Sequence, residues 1–306
     1  MVLSSLDEAH INFSTETLWI LNVILALVMF GVALHIRVRD FKALLRDPRS
    51  LLVGVFCQFL ALPLVTFLLV IAFRPQPSLA LGMILVAACP GGNISNFITS
   101  LGGGNRALSV ALTANATLLA ILFTPLNLGF WGSLYPPAQN LLRDISLNPL
   151  EMVEIVALIL GLPLLAGVWL HERFPELARR LAKVLKHISL LFFGCLILFV
   201  LYNNRVQIRE YLLLVFWLVV LQNAMAFLTG YTAARLAGLP SEDIRCITIE
   251  TGIQNSGLGL VLIFTFFEGL GGMAVLTAFW GVWHLISGML LGSFWAFRPL
   301  RKEVGG

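Results

Sequence analysis

The chain has few charged residues and few residues of the types that bind transition metals. Only 12% of its 306 residues are charged, about half the fraction found in an average soluble domain. Its four cysteines form no CxxC pair and lie in or beside apolar segments, as small buried residues do. This composition argues against a soluble enzyme, a disulfide scaffold and a structural zinc site.

Several motifs of catalysis and nucleotide binding are also absent. The sequence contains no Ser-His-Asp arrangement, no P-loop and no dinucleotide fingerprint, so it lacks the patterns that mark hydrolases, ATP-driven pumps and dehydrogenases. The net charge of +4 lies mostly in the connections between apolar runs, which indicates membrane topology and not nucleic-acid binding. We therefore expect neither an enzyme nor a nucleic-acid partner.

What the chain has instead is long apolar runs. Hydrophobic residues make up 58% of the sequence, in continuous runs of about 20 residues, the length that spans a bilayer as a helix. A β-barrel would show alternating apolar and polar residues. The sequence therefore predicts an all-α polytopic membrane protein with nine transmembrane helices. The predicted spans are Leu18–Ile36, Leu51–Phe73, Leu79–Leu101, Ala107–Phe130, Met152–Leu170, Ile188–Tyr202, Tyr211–Leu236, Ile244–Phe267 and Met273–Phe297.

The basic residues are divided unequally among the connections. If the N-terminus lies outside, sixteen of the 20 basic residues fall on the cytoplasmic side and four fall outside. Cytoplasmic connections carry an excess of Lys and Arg, so we predict a multi-pass protein of the plasma (inner) membrane with a cytoplasmic C-terminus. The cytoplasmic set is Arg37, Arg39, Lys42, Arg46, Arg49, Arg106, Arg173, Arg179, Arg180, Lys183, Lys186, Arg235, Arg245, Arg298, Arg301 and Lys302, and the outer set is Arg74, Arg143, Arg205 and Arg209.

Two of the predicted spans are interrupted near the middle. In the third span, Pro90 is followed by Gly91 and Gly92; proline removes a hydrogen-bond donor and glycine is costly in a helix. In the eighth, the segment from Glu250 to Gly257 places polar residues and glycines in an apolar frame. Interrupted spans in corresponding positions of two halves are the best sequence pointer to a transporter's binding site. We therefore predict an inverted-repeat transporter whose binding site lies at the two broken helices.

Glu250 is the one acidic residue, among sixteen, that lies well within a predicted span. A charge at that depth costs several kcal/mol and normally faces a cavity or a partner. No Lys or Arg lies near it in the same span, so a bound cation is the expected partner. A protonated glutamic acid, hydrogen-bonded inside the bundle, is the structural alternative.

A set of oxygen donors surrounds the two interruptions. Hydroxyl, amide and main-chain carbonyl oxygens suit a hard cation, although a single Ser or Thr in a span is more typical of a helix–helix hydrogen bond. Ser109 and Thr113 lie on one face of the fourth span, and together with Glu250 the set favours cation binding. Its members are Gln58, Ser95, Asn96, Ser109, Thr113, Gln254 and Asn255.

His284 lies in the ninth predicted span, within the motif VWHLISG. A single histidine at such a position is either an interior group with a satisfied ring or a group that contacts a ligand. Its place opposite the interruptions leaves both interpretations open.

These motifs resemble those of the bile acid:sodium symporter family over nearly the whole chain. The resemblance runs from MFGVAL and RDF, through CQFLALP, CPGGNISN and LSVALTANATL, to IETGIQNSGL and VWHLISG. It implies a transporter in which two sodium ions bind behind the crossing of the broken helices.

The resemblance also implies which residues bind each ligand. The first sodium site would comprise Ser95, Asn96, Ser109, Thr113 and Glu250. The second would comprise the side chains of Gln58, Glu250 and Gln254 with the main-chain carbonyls of Thr251 and Ile253. The substrate anion would contact Asn93, Asn255 and His284, close to the helix N-termini that the interruptions expose.

The same resemblance implies how the chain is organised. Residues 1–306 would form a single transmembrane transporter domain, in which a core of approximately 51–130 and 211–297 lies beside a panel of approximately 18–36 and 152–202. The nine spans and the motifs GGN and IETG are similar to the animal members. Leu285, however, stands where some bacterial relatives have Asn, at a position that lines the family's substrate cavity. The substrate is therefore open between a bile acid, another sterol conjugate and a small acid such as pantoate.

Taken with the resemblance, the sequence predicts a sodium-coupled symporter of an organic anion that works by alternating access in a lipid bilayer. Two other functions are compatible with the same residues. One is a proton-coupled carrier in which Glu250 titrates, and the other is a channel or membrane receptor on the same fold.

Overall fold

The computed structural model describes residues 48–144 except 93, residues 153–298 except 155 and 204, and nine residues within 23–34. Within these ranges the secondary structure is helical apart from one isolated β-bridge, so the predicted all-α class is confirmed. Asn93 and the basic residues Arg301 and Lys302 lie outside the described residues, as do residues 35–47 and most of the first predicted span.

The helices are numbered here in chain order. They are α1 (Pro48–Phe73), α2 (Pro77–Ala88), α3 (Ile94–Leu101), α4 (Arg106–Ser133), α5 (Pro136–Asp144), α6 (Leu162–Arg173), α7 (Pro175–Asn203), α8 (Arg205–Leu236), α9 (Ser241–Gly252), α10 (Ser256–Phe266) and α11 (Gly271–Ala296). The third predicted span is thus two half-helices, α2 and α3, and the eighth is α9 and α10. Both breaks fall where the sequence predicted interruptions.

The long helices have the length and surface of membrane spans. Four segments of the described residues are long and apolar enough to cross a bilayer: Pro48–Phe73, Arg106–Ser133, Leu213–Leu236 and Gly271–Ala296. Each of them exposes large apolar side chains, for example Leu64 in α1, as expected of a face in contact with lipid. The chain is therefore a multi-pass membrane protein. The count of nine spans stays a prediction.

Two of the four half-helices, α2 and α10, lie in the interior of the bundle. Every residue of α2 from Ser78 to Ala88 is buried, and so is every residue of α10 from Ser256 to Phe264. A helix that is apolar on all sides is stable only when other helices enclose it. The two breaks are thereby held at the centre of the protein, away from the lipid-facing surface.

A buried acidic residue ties together the helices at the end of the bundle where α9 begins. Asp243, in the first turn of α9, accepts hydrogen bonds from Ser50 Oγ at 2.6 Å and from Asn105 Nδ2 at 2.8 Å. Asn105 also caps α4, because its side chain accepts the Leu108 N–H at 3.1 Å, and such caps satisfy free helix donors. The starts of α1, α4 and α9 are therefore fixed relative to one another.

Arg245 joins two helix C-termini at the same end of the bundle. Its guanidinium donates to the carbonyls of Gly102 at 2.6 Å and Arg298 at 2.7 Å, which follow α3 and α11. A cation is favourable beside the free carbonyls and the negative dipole end of a helix. The half-helices α3 and α9 are thus braced at the end distant from their breaks.

Candidate functional site

The two broken helices meet at their breaks and satisfy each other's backbone. The segments form a short antiparallel bridge, in which the Gly92 N–H donates to the Ile253 carbonyl and the Asn255 N–H donates to the Pro90 carbonyl, both at 2.9 Å. Because unpaired backbone groups are costly inside a membrane, this pairing explains how both helices can be unwound in the interior.

Four helix ends come together at this bridge. The half-helices α2 and α9 end there, which directs carbonyl oxygens and the negative ends of two helix dipoles toward it. The half-helices α3 and α10 begin there, and the side chain of Asn255 caps α10 by accepting the Leu258 N–H at 3.0 Å. One place in the protein therefore offers groups that attract a cation and groups that attract an anion.

The Glu250 carboxylate lies on α9 and is surrounded by hydroxyl groups. Ser95 Oγ donates to Glu250 Oε1 at 2.6 Å, Ser109 Oγ donates to the same oxygen, and Thr113 Oγ1 donates to Oε2 at 3.1 Å. Ser109 Oγ also lies 2.9 Å from Asn96 Oδ1. The structure thus brings together all five side chains proposed for the first sodium site, from three separate helices.

Within the part of the chain that the structure describes, no basic side chain balances the charge of this carboxylate. Glu250 is only 5% exposed, and no salt bridge to it is found among the described residues. The described residues also contain no group of three His, Cys, Asp or Glu side chains that could hold a metal ion. One carboxylate among neutral oxygens suits a hard monovalent cation better than a transition metal.

Gly91 allows the first break to approach this carboxylate closely. A Cβ built on Gly91 would lie 3.0 Å from Glu250 Oε2 and 3.5 Å from the Glu250 carbonyl oxygen. A side chain there would therefore crowd the oxygens of Glu250. This close approach gives a physical reason for a glycine at the break, beyond its effect on helix propensity.

A second group of oxygens lies beside the first. Gln58 Nε2 donates to the Cys89 carbonyl at 2.7 Å and to Gln254 Oε1 at 2.8 Å, and Gln254 Nε2 donates to the Thr251 carbonyl at 2.8 Å. Gln58, Gln254 and Thr251, all expected in the second sodium site, are therefore in contact. The Ile253 carbonyl accepts a main-chain hydrogen bond of the bridge, and the Cys89 carbonyl is an oxygen that the sequence did not indicate.

A π turn in α1 positions Gln58. The turn covers Cys57–Ala61, and such turns interrupt the regular hydrogen bonds of a helix and occur frequently at functional sites. The Phe59 carbonyl in this turn accepts a hydrogen bond from Asn127 Nδ2 at 3.1 Å. The sequence predicted an ordinary helix here; the only local signal is Pro63, whose missing N–H favours an irregular turn before it.

The three predicted substrate residues have different surroundings. Asn255 is partly buried and uses its side-chain oxygen as a helix cap. His284 is 5% exposed on α11, one turn before Gly288, which packs against Ile253 of the second break. Leu285, the residue after His284, is 38% exposed. Asn93 lies outside the described residues.

Polar residues that the sequence did not single out also contact this centre. Asn223 Nδ2 on α8 donates to the Gly252 carbonyl at 2.8 Å, and Ser287 Oγ on α11 donates to Asn223 Oδ1 at 2.6 Å. Gln222 Nε2 donates to the Met83 carbonyl on α2 at 2.8 Å. Two adjacent amides within an apolar span are a signal of such contacts, because unpaired amides are costly in a bilayer.

Comparison with known proteins places the chain among transporters. Residues 22–211 match the sodium bile acid symporter family. The chain is 34% identical over 302 residues to an uncharacterized sodium-dependent transporter of Bacillus subtilis, an alignment that covers 97% of this chain and 91% of that protein.

More distant relatives have similar descriptions. A probable chloroplastic sodium/metabolite cotransporter of Arabidopsis thaliana is 31% identical over 92% of this chain and 67% of its own length. The human ileal sodium/bile acid cotransporter is 28% identical over 78% of this chain and 67% of its own length. These relatives are transporters and not enzymes, and the chain belongs to the sodium bile acid symporter family.

Proposed function

We propose that this protein couples the entry of sodium ions to the transport of an organic anion, either bile acid-like or a small organic acid, by alternating access. The observation that carries the proposal is the buried Glu250 carboxylate, which receives three hydroxyl groups and contacts no basic side chain among the described residues. Relatives named as sodium/bile acid and sodium/metabolite cotransporters support it.

The first sodium ion would bind among the hydroxyls around Glu250. In the arrangement described above, the hydroxyl hydrogens of Ser95, Ser109 and Thr113 point to the carboxylate. A hydroxyl rotates freely and carries two lone pairs, so each oxygen can turn toward a cation while the carboxylate supplies the counter-charge. Asn96 Oδ1, which lies 2.9 Å from Ser109 Oγ, adds an amide oxygen to the same set.

The second sodium ion would bind between Gln58 and the second break. Gln58 Oε1, Gln254 Oε1 and the carbonyls of Thr251 and Ile253 are neutral oxygens, and Glu250 would supply the charge for this ion as well. Both cations would be attracted to the same carboxylate and would repel each other. Loss of the ligands of either ion should therefore weaken the coupling between sodium and substrate.

The anionic substrate would bind where α3 and α10 begin. The free N–H groups and the positive dipole ends of these half-helices favour a carboxylate or sulfonate, and Asn93, Asn255 and His284 would shape the pocket. Sodium bound on the other side of the bridge would fix the unwound backbone and thereby favour substrate binding. The core of approximately 51–130 and 211–297 and the panel of approximately 18–36 and 152–202 would then move against each other to alternate access.

Gln58→Ala should lower the steepness of the sodium dependence of transport. The substitution removes the hydrogen bonds of the Gln58 amide with Cys89 and Gln254 and leaves the Glu250 hydroxyls in place. We expect the Hill coefficient for sodium to fall from about two toward about one, since one of two coupled sites is impaired. Initial uptake rates at graded sodium concentration measure this, with Gln139→Ala on α5 as control. An unchanged Hill coefficient would remove Gln58 from the ion site.

The proposed orientation places the start of α7 in the cytoplasm. In a Cys195→Ser background, Lys183→Cys should be protected from a membrane-impermeant thiol reagent applied outside, whereas Ser133→Cys at the outer end of α4 should react. Both positions are exposed, so the side of the membrane on which each one lies decides whether the reagent reaches it. Labelling of Lys183→Cys in intact cells would reverse the assignment of the cytoplasmic side, which rests on the distribution of basic residues.

A thermal-shift screen of organic anions, with and without sodium, tests the proposed substrate class. A ligand that binds the folded state raises the unfolding temperature by mass action. We expect bile acids or small organic acids to stabilise the purified protein more in sodium than in an equal concentration of choline. Stabilisation by neutral or cationic compounds alone, or by anions to the same degree in choline, would contradict the proposal.

A further inference from the structure

Two half-helices end at the crossing, and a side chain from a neighbouring helix holds the end of each. The last carbonyls of a helix have no partner within the helix, and leaving one unpaired in the interior is costly. The Cys89 carbonyl after α2 accepts from Gln58 Nε2 at 2.7 Å, and the Gly252 carbonyl at the end of α9 accepts from Asn223 Nδ2 at 2.8 Å.

These two carbonyls occupy equivalent positions in the crossing. Gln254 is the bridge partner of Gly91, and Gly252 lies as many residues after Cys89 as Gln254 does after Gly91. The same shift along the sequence converts one main-chain hydrogen bond of the bridge into the other. Gln58 and Asn223 therefore perform the same task on opposite sides of the bridge, each from the long helix that precedes the broken one.

The chemistry on the two sides differs although the backbone arrangement is the same. By the same shift, Gly272 is the residue equivalent to Ser109, and Ala87 is the residue equivalent to Glu250. The group of hydroxyls around a carboxylate therefore has no counterpart on the other side of the bridge. The end of α9 that Asn223 holds is thus the end that carries the charged ligand.

Both ends of the Asn223 amide are engaged by neighbouring groups of the protein. Its nitrogen donates to Gly252, its oxygen accepts from Ser287 Oγ at 2.6 Å, and the residue is 1% exposed. On the same helix, the Phe227 ring lies so close to Gly252 that a Cβ on that glycine would be 2.2 Å from the ring. Helix α8 thus holds Gly252 by a ring and by an amide.

We propose that Asn223, anchored by Ser287, is a positioning residue that sets the geometry of the sodium ligands on both sides of Gly252. Glu250 and Gln254 lie two residues before and two residues after this glycine, so rotation of its peptide group moves both of them. The inference rests on the proposed function, in which Glu250 and Gln254 bind sodium. It assigns a role in ion affinity to a residue pair outside the proposed ligands of the ions and of the substrate.

Gln222 is a matched control for this role. It is adjacent to Asn223, equally buried, and donates to a main-chain carbonyl at the same distance, but that carbonyl belongs to Met83 in the middle of α2. Asn223→Leu and Gln222→Met each replace an amide by an apolar side chain of similar size. Both should destabilise the protein, whereas only the first should change the ligands of the ion.

The test is the sodium concentration that produces half of the maximal thermal stabilisation, measured without substrate at constant ionic strength in choline. Loss of a group that orients a metal ligand typically costs 10- to 100-fold in affinity. We expect this concentration to rise about tenfold or more in Asn223→Leu and to stay within about twofold of the parent in Gln222→Met. Ser287→Ala should give a smaller increase in the same direction, and Ser287→Thr, which keeps the hydroxyl, should restore the parent value.

Two results would overturn the inference, and they are distinguishable. If the parent responds to sodium and Asn223→Leu responds at the same concentration as Gln222→Met, Asn223 only satisfies a carbonyl and does not position ligands. If Asn223→Leu does not fold, the two Ser287 variants replace it in the test. Equal half-stabilising sodium concentrations in Ser287→Ala and Ser287→Thr would then show that the pair does not position the ligands. If the parent itself shows no response to sodium, the proposed ion site fails and this inference fails with it.

Discussion

Glu250→Gln should abolish sodium-driven accumulation of substrate while leaving the protein folded and inserted. Glutamine keeps the shape of the side chain and one oxygen for the surrounding hydroxyls, but it removes the negative charge. Two opposite unit charges about 4 Å apart at an effective permittivity of about 20 attract each other by roughly 4 kcal/mol, or about a thousandfold in affinity. We therefore expect sodium to stop stabilising the variant in thermal unfolding and sodium-dependent uptake to fall to background.

Glu268→Gln is the matched control for this variant. Glu268 follows α10 and is exposed, and its replacement by glutamine removes the same charge. The sodium dependence of Glu268→Gln should therefore equal that of the parent protein. Glu250→Gln should also elute as a single species in detergent, which separates loss of ion binding from misfolding. Normal sodium dependence in Glu250→Gln would mean that the carboxylate does not hold the ion, and the proposed site would be wrong.

Gly91→Val should eliminate sodium binding, and Gly91→Ala should weaken it about tenfold, by crowding the same carboxylate from the opposite break. A Cβ at this position lies 3.0 Å from Glu250 Oε2, which is tighter than a normal contact, and the two additional methyl groups of valine would extend into the space around the carboxylate. Disturbing the orientation of a metal ligand typically costs 10- to 100-fold in affinity. The half-saturating sodium concentration for thermal stabilisation measures the effect.

Gly129→Ala on α4 is the control for the glycine series, because a Cβ at Gly129 meets nothing within 4 Å. That substitution should leave sodium affinity unchanged. A graded loss from Gly91→Ala to Gly91→Val, with unchanged Gly129→Ala, would support close approach of the break to Glu250. Equal sodium affinity in Gly91→Val and the parent would place the ion elsewhere.

The sequence predicted the two breaks because the features that cause them are local. Pro90 cannot donate a helical hydrogen bond, and glycines next to it lower the cost of an irregular backbone. A carboxylic acid deep in an apolar span is equally visible in the sequence, because its cost in a bilayer requires a partner. Glu250 and the positions of both interruptions could therefore be predicted without a structure.

The contacts between distant segments could not be predicted from such local features. The π turn that positions Gln58 depends on packing against Asn127, and the pairing of Asn223 with the Gly252 carbonyl joins residues on two different helices. Composition shows that buried amides need partners, but it does not show which carbonyl each one reaches. Residue types near the site were therefore predictable, whereas their hydrogen bonds were not.

The family resemblance supplied what local features did not. Residues as distant in sequence as Gln58 and Gln254 were assigned to one site through motif positions, and the structure places their amides 2.8 Å apart. The convergence of Ser95, Ser109 and Thr113 on Glu250 agrees with the same assignment. Whether sodium occupies these groups stays a prediction that the variants above are designed to test.

Uptake of a substrate identified by the thermal-shift screen, into proteoliposomes containing the purified protein, tests the central claim most directly. One set of vesicles receives an inward sodium gradient and a second an equal choline gradient, both at the same pH on the two sides, and a third set receives a pH gradient in choline. We expect accumulation above equilibrium only with sodium, and loss of that accumulation in Glu250→Gln. Equal accumulation in choline that appears only when a pH gradient is imposed would contradict it and identify a proton-coupled carrier.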